Sequence, residues 1–309
     1  MAMVLRLPDW RRFDPRNLAF VWGDTNATII SKMSDHHRNR RDTMSSKSST
    51  KVVEYCCDDH IAVITLNRPE KLNAFDDEMV RQLSAALQRL DSDPDANVGI
   101  LCGNGRAFSS GADVHQRHMR SRDELERGGG PAGRAAPSID LFTRAVNWKP
   151  VIAAPHGYAI GLGLGIVLDS DLIVAEDGTK FQVTEIGRGL GGTKFWAQLH
   201  FRGAGAFGDE VALTGRFFSA EEAFAAGIIN RIVKPGKRME AARELAEVIA
   251  KHPPLSVRVT TRARRWYLAQ ATRDATIHSD PLKLYLTEDF AEAARAFVEK
   301  RQPKPFKGR

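Results

Sequence analysis

The chain has 309 residues, 42% of them hydrophobic and 27% charged, with a formal net charge of +7. That length holds one large domain or two smaller ones, and the composition is that of an ordinary globular enzyme. Of the three cysteines, Cys56 and Cys57 are adjacent and Cys102 stands alone, with no C-x-x-C pair; this argues against a disulfide framework or a zinc cage and for a reducing cytoplasm.

Residues 1–50 differ from the rest. Residues 1–51 hold ten Lys/Arg against five Asp/Glu, so most of the positive excess lies there. The run from Ser34 to Ser49 is polar and aperiodic, which is the composition of a disordered segment. Trp10, Phe13, Phe20 and Trp22 could form a short docking segment; alternatively, translation begins at Met33 or Met44 and the upstream residues are a mis-called start. The remaining charge is nearly balanced, which argues against a nucleic-acid partner. The most apolar stretch, 151–175, contains His156, Asp169, Asp171 and four glycines. It is a poor membrane span.

From Lys51 strands and helices alternate. Ile61 to Leu66 reads as a buried strand ended by Asn67-Arg68-Pro69. Asp76 can cap a helix that carries Val80, Leu83, Leu87 and Leu90 on one face and stops at Asp91-Ser92-Asp93-Pro94. Val98 to Cys102 is the next strand. Residues 117–138 are polar and Gly-rich, which predicts a mobile loop over a site. Leu172 to Ala175 and Ile228 to Val233 read as strands. Ser219-Ala220-Glu221-Glu222 is a capping box opening a helix that ends at Gly227. Lys237 to Lys300 reads mainly as helices, broken at Pro253-Pro254 and near Pro281. The pattern predicts an α/β core over 51–235 followed by a helical region over 236–309.

Two stretches carry the chemistry. In Ala107 to Val114 and in Pro150 to Gly165, a strand-like segment runs into a Gly/Ala turn that opens a helix. Such turns leave N–H groups unpaired and pointing outward. Two of them converging on one oxygen stabilise a developing oxyanion. A dinucleotide fingerprint does not fit, because the third glycine would fall on Ile166 or Leu168.

With Thr65 to Phe75, Phe181 to Gly187, Ala212 to Arg216, Ala225 to Asn230 and Ala296 to Arg301, these turns resemble the enoyl-CoA hydratase/isomerase (crotonase) family from about Val52 to Gly308. The resemblance implies a spiral of ββα units with a C-terminal helical region, assembled as a homotrimer or a dimer of trimers. It implies an acyl-CoA thioester substrate, with coenzyme A part of the substrate and no separate cofactor or metal. It implies that the N–H groups of Ala112 and Leu162 hold the thioester oxygen, with Gly111 and Gly161 permitting the turns. Ala74, Ser110, Asp113 and Val114 would line the CoA channel.

Family hydratases use two glutamates around one water. One matches Glu185; the other falls on Gly165, which has no side chain. Glu185 alone suits double-bond isomerisation, which is slightly favoured. Hydration with a non-standard second acid, hydrolysis, decarboxylation and a non-catalytic acyl-CoA-binding subunit remain as alternatives. Asp169, one helical turn beyond position 165, would pair with a neighbour or cap a helix end; Asp123 or Glu124 could swing in from the loop. His115 and His118 are expected to meet solvent or CoA phosphates. Phe142, Trp148, Phe195 and Trp196 are candidates for the acyl pocket. An RNA-binding role is disfavoured, since helix 77–90 offers only Arg81 and Arg89.

Overall fold

A computed structural model describes residues 51–131, 148–277 and 279–309. The expectations for residues 1–50 and for Phe142 lie outside the described residues. Strands β1 (Val53–Asp58) and β2 (Ile61–Leu66) form an antiparallel hairpin in which Val53 faces Leu66. Its turn, Asp59-His60, has positive φ at both positions (47° and 65°), as a two-residue hairpin turn requires. Helix α1 (Asp77–Ser92) then crosses over to β3 (Val98–Gly103), which pairs parallel with β2. Asp76 caps α1 by accepting from the Met79 N–H at 2.8 Å. The helix buries Met79, Val80, Leu83, Leu87 and Leu90, a 3.6-residue stripe, against the sheet.

Two short helices follow, α2 (Val114–Arg117) and α3 (Arg122–Gly128). Then come β4 (Val151–Ala153), β5 (Tyr158–Ile160), α4 (Leu162–Asp169), β6 (Leu172–Glu176) and β7 (Lys180–Gln182). The chain continues through α5 (Thr193–Phe201), α6 (Gly205–Thr214), β8 (Phe217–Ser219), α7 (Ala220–Ala225) and β9 (Arg231–Val233). It closes with α8 (Arg238–Ala250), α9 (Pro254–Thr276) and α10 (Glu288–Val298). One sheet has the order β1-β2-β3-β4-β6-β9, parallel from β2 onward; the other has the order β5-β7-β8. β3 is buried at every residue, as expected of a parallel strand covered on both faces. One cover is the cluster of Leu66, Leu83, Leu101, Phe108, Ile166 and Phe195. The other is α8, whose Ala241, Ala242 and Ala246 lie on Ile61, Ile100, Ile152 and Val174.

Two segments differ from the reading of the sequence. The Gly-rich stretch after residue 117 contains α3, held by a reciprocal capping box of Ser121 and Glu124 and stopped by Gly129 in the left-handed region. The strand expected over 228–233 is only Arg231–Val233, because the Ile228 N–H turns back to the Ala223 carbonyl and closes α7. Among the described residues, no helix is long and apolar enough to cross a membrane.

Candidate active site

The first turn is fastened by a buried asparagine. Asn73 takes φ of 52°, its Nδ2 donates to the carbonyls of Asn104 and Ala107 (both 2.9 Å), and its Oδ1 accepts from the Arg68 N–H. Its own carbonyl accepts from Ser109 Oγ at 2.8 Å. A left-handed non-glycine persists only where its surroundings fix it, and these four bonds do so. The segment 72–75 then clamps the turn: Ser110 N–H to Leu72 O, Phe75 N–H to Gly111 O and Asp113 N–H to Phe75 O. Gly111 has φ of 94°, and a Cβ there would stand 2.7 Å from the Ile160 carbonyl oxygen. Only glycine meets both conditions.

The second turn is laced to the first by the Ser109 N–H to Tyr158 O and the Ile160 N–H to Ser109 O. Gly161 caps α4 with φ of 49°. The N–H groups of Ala112 and Leu162 find no acceptor among the described residues. Leu162 opens an eight-residue helix whose positive end adds to its N–H. The helix after Ala112 has only four residues, and Asp113 caps it.

Glu185 lies against this second turn. Its Oε1 is 3.6 Å from where a Cβ on Gly161 would stand, and Thr184 Oγ1 is 2.7 Å from the same point. Burial lifts the Glu185 carboxyl to about 7, against the opposing pull of local N–H groups, the Thr184 hydroxyl and the charge of Arg188.

Position 165 is tight. A Cβ on Gly165 would stand 3.0 Å from Phe195 Cε1, so that ring would have to give by a few tenths of an ångström to admit any side chain there. Asp169 is buried one turn on. Its Oδ1 accepts from Gln198 Nε2 at 2.6 Å and its Oδ2 lies 3.5 Å from Lys194 Nζ. Asp169 thus pairs with neighbours, as its position suggested. Glu124 is committed to its capping box and is exposed, as is Asp123.

Two cavities meet at these groups. One, of 500 Å³, is lined by Ala74, Ser110, Gly111, Asp113 and Val114 together with Arg68, Lys71, His115 and Arg188. The other, of 540 Å³, runs past Val80, Arg117, Leu190, Lys194 and Phe195 to Leu284 and Tyr285. Ala112, Leu162, Glu185 and Leu190 line both. Such volumes suit small-molecule sites. Glu185 is the only carboxylate among the described residues that lines both; Asp113 lines the first, and the exposed Asp280 the second.

The structure gathers Ala74, Ser110, Ala112, Asp113, Val114, Leu162 and Glu185 in one cleft, with Gly161 at its turn. His118, half-buried, lines the first cavity beside His115. Its ring lies 5.5 Å from that of Phe290, and burial, with Arg188 and Arg117 nearby, lowers it to about 4. Phe195 lines the second cavity, whereas Trp196 points outward and donates to Asp209, and Trp148 lies under Arg262. Arg68, Lys71 and Arg188 were not singled out in the sequence. Arg68 joins Asp113 at 3.1 Å and Asp76 at 3.3 Å. That pairing, with the Gln116 N–H, outweighs burial and holds the Asp113 carboxyl below its usual range.

Comparison with known proteins agrees with this cleft. Residues 57–309 match the family model described as enoyl-CoA hydratase/isomerase. Among curated relatives, (E)-benzylidenesuccinyl-CoA hydratase of Thauera aromatica is 35% identical, over 79% of this chain and 94% of the relative. A putative enoyl-CoA hydratase of Thermus thermophilus is 34% identical, over 79% and 97%. Among solved structures, an enoyl-CoA hydratase/isomerase of Pseudoalteromonas atlantica T6c superposes with a TM-score of 0.70 at 25% identity, over 83% of this chain and all of that one. The fold is that of the crotonases, α/β with a helical C-terminal region. The chain belongs to the enoyl-CoA hydratase/isomerase family, enzymes that act on acyl-CoA thioesters.

Proposed function

We propose that this enzyme moves a double bond in an enoyl-CoA, with Glu185 as its single acid/base. The thioester oxygen lies between the N–H groups of Ala112 and Leu162, the CoA portion in the cleft of Arg68, Lys71 and Arg188, and the acyl group in the cavity closed by Phe195. Glu185 takes a proton from carbon 2 of a 3-enoyl thioester. The C–H electron pair forms the C1–C2 double bond of a dienolate, and the two N–H groups hold the negative oxygen. On collapse the oxygen's carbonyl re-forms, the C1–C2 pair becomes the C2–C3 double bond, and the former C3–C4 double-bond pair takes up the proton. Glu185 then returns the proton to carbon 4, leaving a 2-enoyl thioester with no net loss or gain of atoms. A carboxyl near 7 is divided between its two protonation states at neutral pH, which suits a group that must accept and return one proton.

The observation that carries this reading is Phe195 in the space beside Gly165. Hydration needs a second group to orient water, and the neighbouring acid, Asp169, is engaged by Gln198 and Lys194. Hydration is the second reading, favoured by the names of the curated relatives, which are hydratases. The test is to supply 2-enoyl-CoA and 3-enoyl-CoA separately, following the conjugated thioester absorbance and product mass. Appearance of the conjugated signal from the 3-enoyl substrate supports isomerisation. Its loss from the 2-enoyl substrate with a gain of one water supports hydration. Homotrimeric or hexameric assembly and a cytoplasmic location belong to the same proposal, and light scattering checks the first.

A further inference from the structure

The Glu185 carboxylate has a neighbour that the proton transfer above does not use. Thr184, half-buried, follows β7 and lines the CoA-side cavity with Glu185, Ile160 and Leu162. Its Oγ1 stands 2.7 Å from where a Cβ on Gly161 would be, so the hydroxyl occupies room that the second turn leaves by having glycine there. The same hydroxyl donates to Glu185 Oε2 at 3.5 Å, and among the described residues that carboxylate is its hydrogen-bond partner. Glu185 Oε1 is the oxygen nearer the turn, 3.6 Å from the same Gly161 point. The hydroxyl thus touches both the turn that carries the Leu162 N–H and the carboxylate. The backbone behind the pair is fixed: the Gly161 N–H donates to Gln182 O at 3.0 Å, and the Glu185 carbonyl accepts from the Arg188 N–H at 3.0 Å and the Leu190 N–H at 2.8 Å.

A carboxylate that takes up and returns one proton changes from acceptor only to donor and back. A lysine or arginine partner serves only the ionised state. A hydroxyl rotates, donating to the carboxylate and accepting from the carboxyl. Threonine adds stiffness, because its branched Cβ restricts χ1 and holds Oγ1 in place. Engaging one carboxylate oxygen leaves the other to face substrate. The 3.5 Å separation is longer than a closed catalytic bond of about 2.6–3.2 Å, as is common before substrate fills a site.

We propose that Thr184 is a positioning residue for Glu185: its hydroxyl holds Oε2 in both protonation states and keeps Oε1 directed at the thioester held by the Ala112 and Leu162 N–H groups. This rests on the reading of Glu185 as the acid/base.

The test compares Thr184→Val, which keeps the shape and removes the hydroxyl, with Thr184→Ser, which keeps the hydroxyl, in the full chain. The readouts are kcat and KM for conversion of a 3-enoyl-CoA to the conjugated 2-enoyl-CoA as a function of pH, and calorimetric binding of the saturated thioester hexanoyl-CoA. Thr184→Val should lower kcat about tenfold or more, the loss expected of a hydrogen bond to a charged group, with KM and hexanoyl-CoA binding changed by less than about twofold. The limb set by Glu185 should move to higher pH, because the ionised carboxylate loses a donor. Part of the kcat deficit should persist above that limb, which a shifted limb alone would not leave. Thr184→Ser should restore most of kcat and return the limb. Unchanged kcat and limb in Thr184→Val overturn the inference. So does a Thr184→Ser protein as slow as Thr184→Val, which assigns the effect to side-chain shape, and so does a Thr184→Val protein that loses hexanoyl-CoA binding together with kcat, which makes the role structural. A Glu185→Gln protein that keeps the parent's rate, or a parent that leaves the 3-enoyl thioester unconverted, overturns the reading of Glu185 and this inference with it; loss of rate in Glu185→Gln without loss in Thr184→Val overturns this inference alone.

Discussion

Replacing Glu185 by glutamine should stabilise the protein while stopping its chemistry, and the stabilisation should depend on pH. The Glu185 carboxyl stands at about 7 in the folded chain against a reference of 4.5, with burial the main cause. A raised carboxyl means that the folded state holds a proton that the unfolded state releases. Its contribution to stability is fully present below 4.5 and is lost as the pH climbs through 7. At pH 8 both states are ionised, and the folded protein bears up to about 3 kcal/mol for a buried charge, the equivalent of the shift at about 1.4 kcal/mol per unit. At pH 5 the folded carboxyl is protonated and the difference shrinks to about 1 kcal/mol or less. Glutamine is neutral throughout. Urea unfolding of both proteins at pH 5 and pH 8 reads the difference directly, provided the slopes agree. The variant should gain on the parent between the two conditions. A difference that stays constant across this range, or that favours the parent at pH 8, refutes the claim that Glu185 is a desolvated acid.

Other perturbations address the surrounding structure. Gly161→Ala would place a methyl 2.7 Å from Thr184 Oγ1 at a φ of 49°; we expect a loss of about 1–3 kcal/mol in urea and a loss of turnover, since Thr184, the neighbour of Glu185, must shift and the turn that carries the Leu162 N–H is strained. Arg188→Gln removes a cation that pulls the Glu185 carboxyl down. The limb of the rate profile set by Glu185 should therefore move to higher pH, and KM for the thioester should rise as the CoA cleft loses a positive group. Asp289→Ala should raise KM with little change in kcat and cost about 1 kcal/mol in thermal unfolding. Its carboxylate receives the N–H groups of Lys307 and Gly308, which fasten the last residues along α10, the helix that sets Phe297 under Arg188 and Phe290 against Gly189.

What could be read from the sequence was local. The Asp76 cap, the Ser219–Glu222 box and the glycines at 111 and 161 announce themselves because a single turn of backbone dictates them. Glu185 was found through a resemblance spread over many segments. The helix at 122–128 had the same kind of signal, Ser121 three residues before Glu124, but lay within a glycine-rich stretch that drew attention to flexibility. Phe195 behind Gly165 was not readable: the contact joins residues 30 apart on two helices, and no local pattern encodes it. The same holds for Arg117 and Lys194, whose entry into one cavity depends on how α2 and α5 pack. That His118 lines the first cavity agrees with its place beside the turn, but its contact with Phe290 of α10, some 170 residues later, has no local signal.

The central claim is that one carboxylate, Glu185, carries the proton in this cleft. The direct measurement is the rate at which the parent and Glu185→Gln proteins convert a 3-enoyl-CoA to the conjugated 2-enoyl-CoA, with thioester binding measured in parallel. The account predicts conversion by the parent and a loss of about a hundredfold or more in the variant, with binding retained. Conversion that survives the substitution, or a parent that adds water to 2-enoyl-CoA and leaves the 3-enoyl thioester untouched, would contradict it.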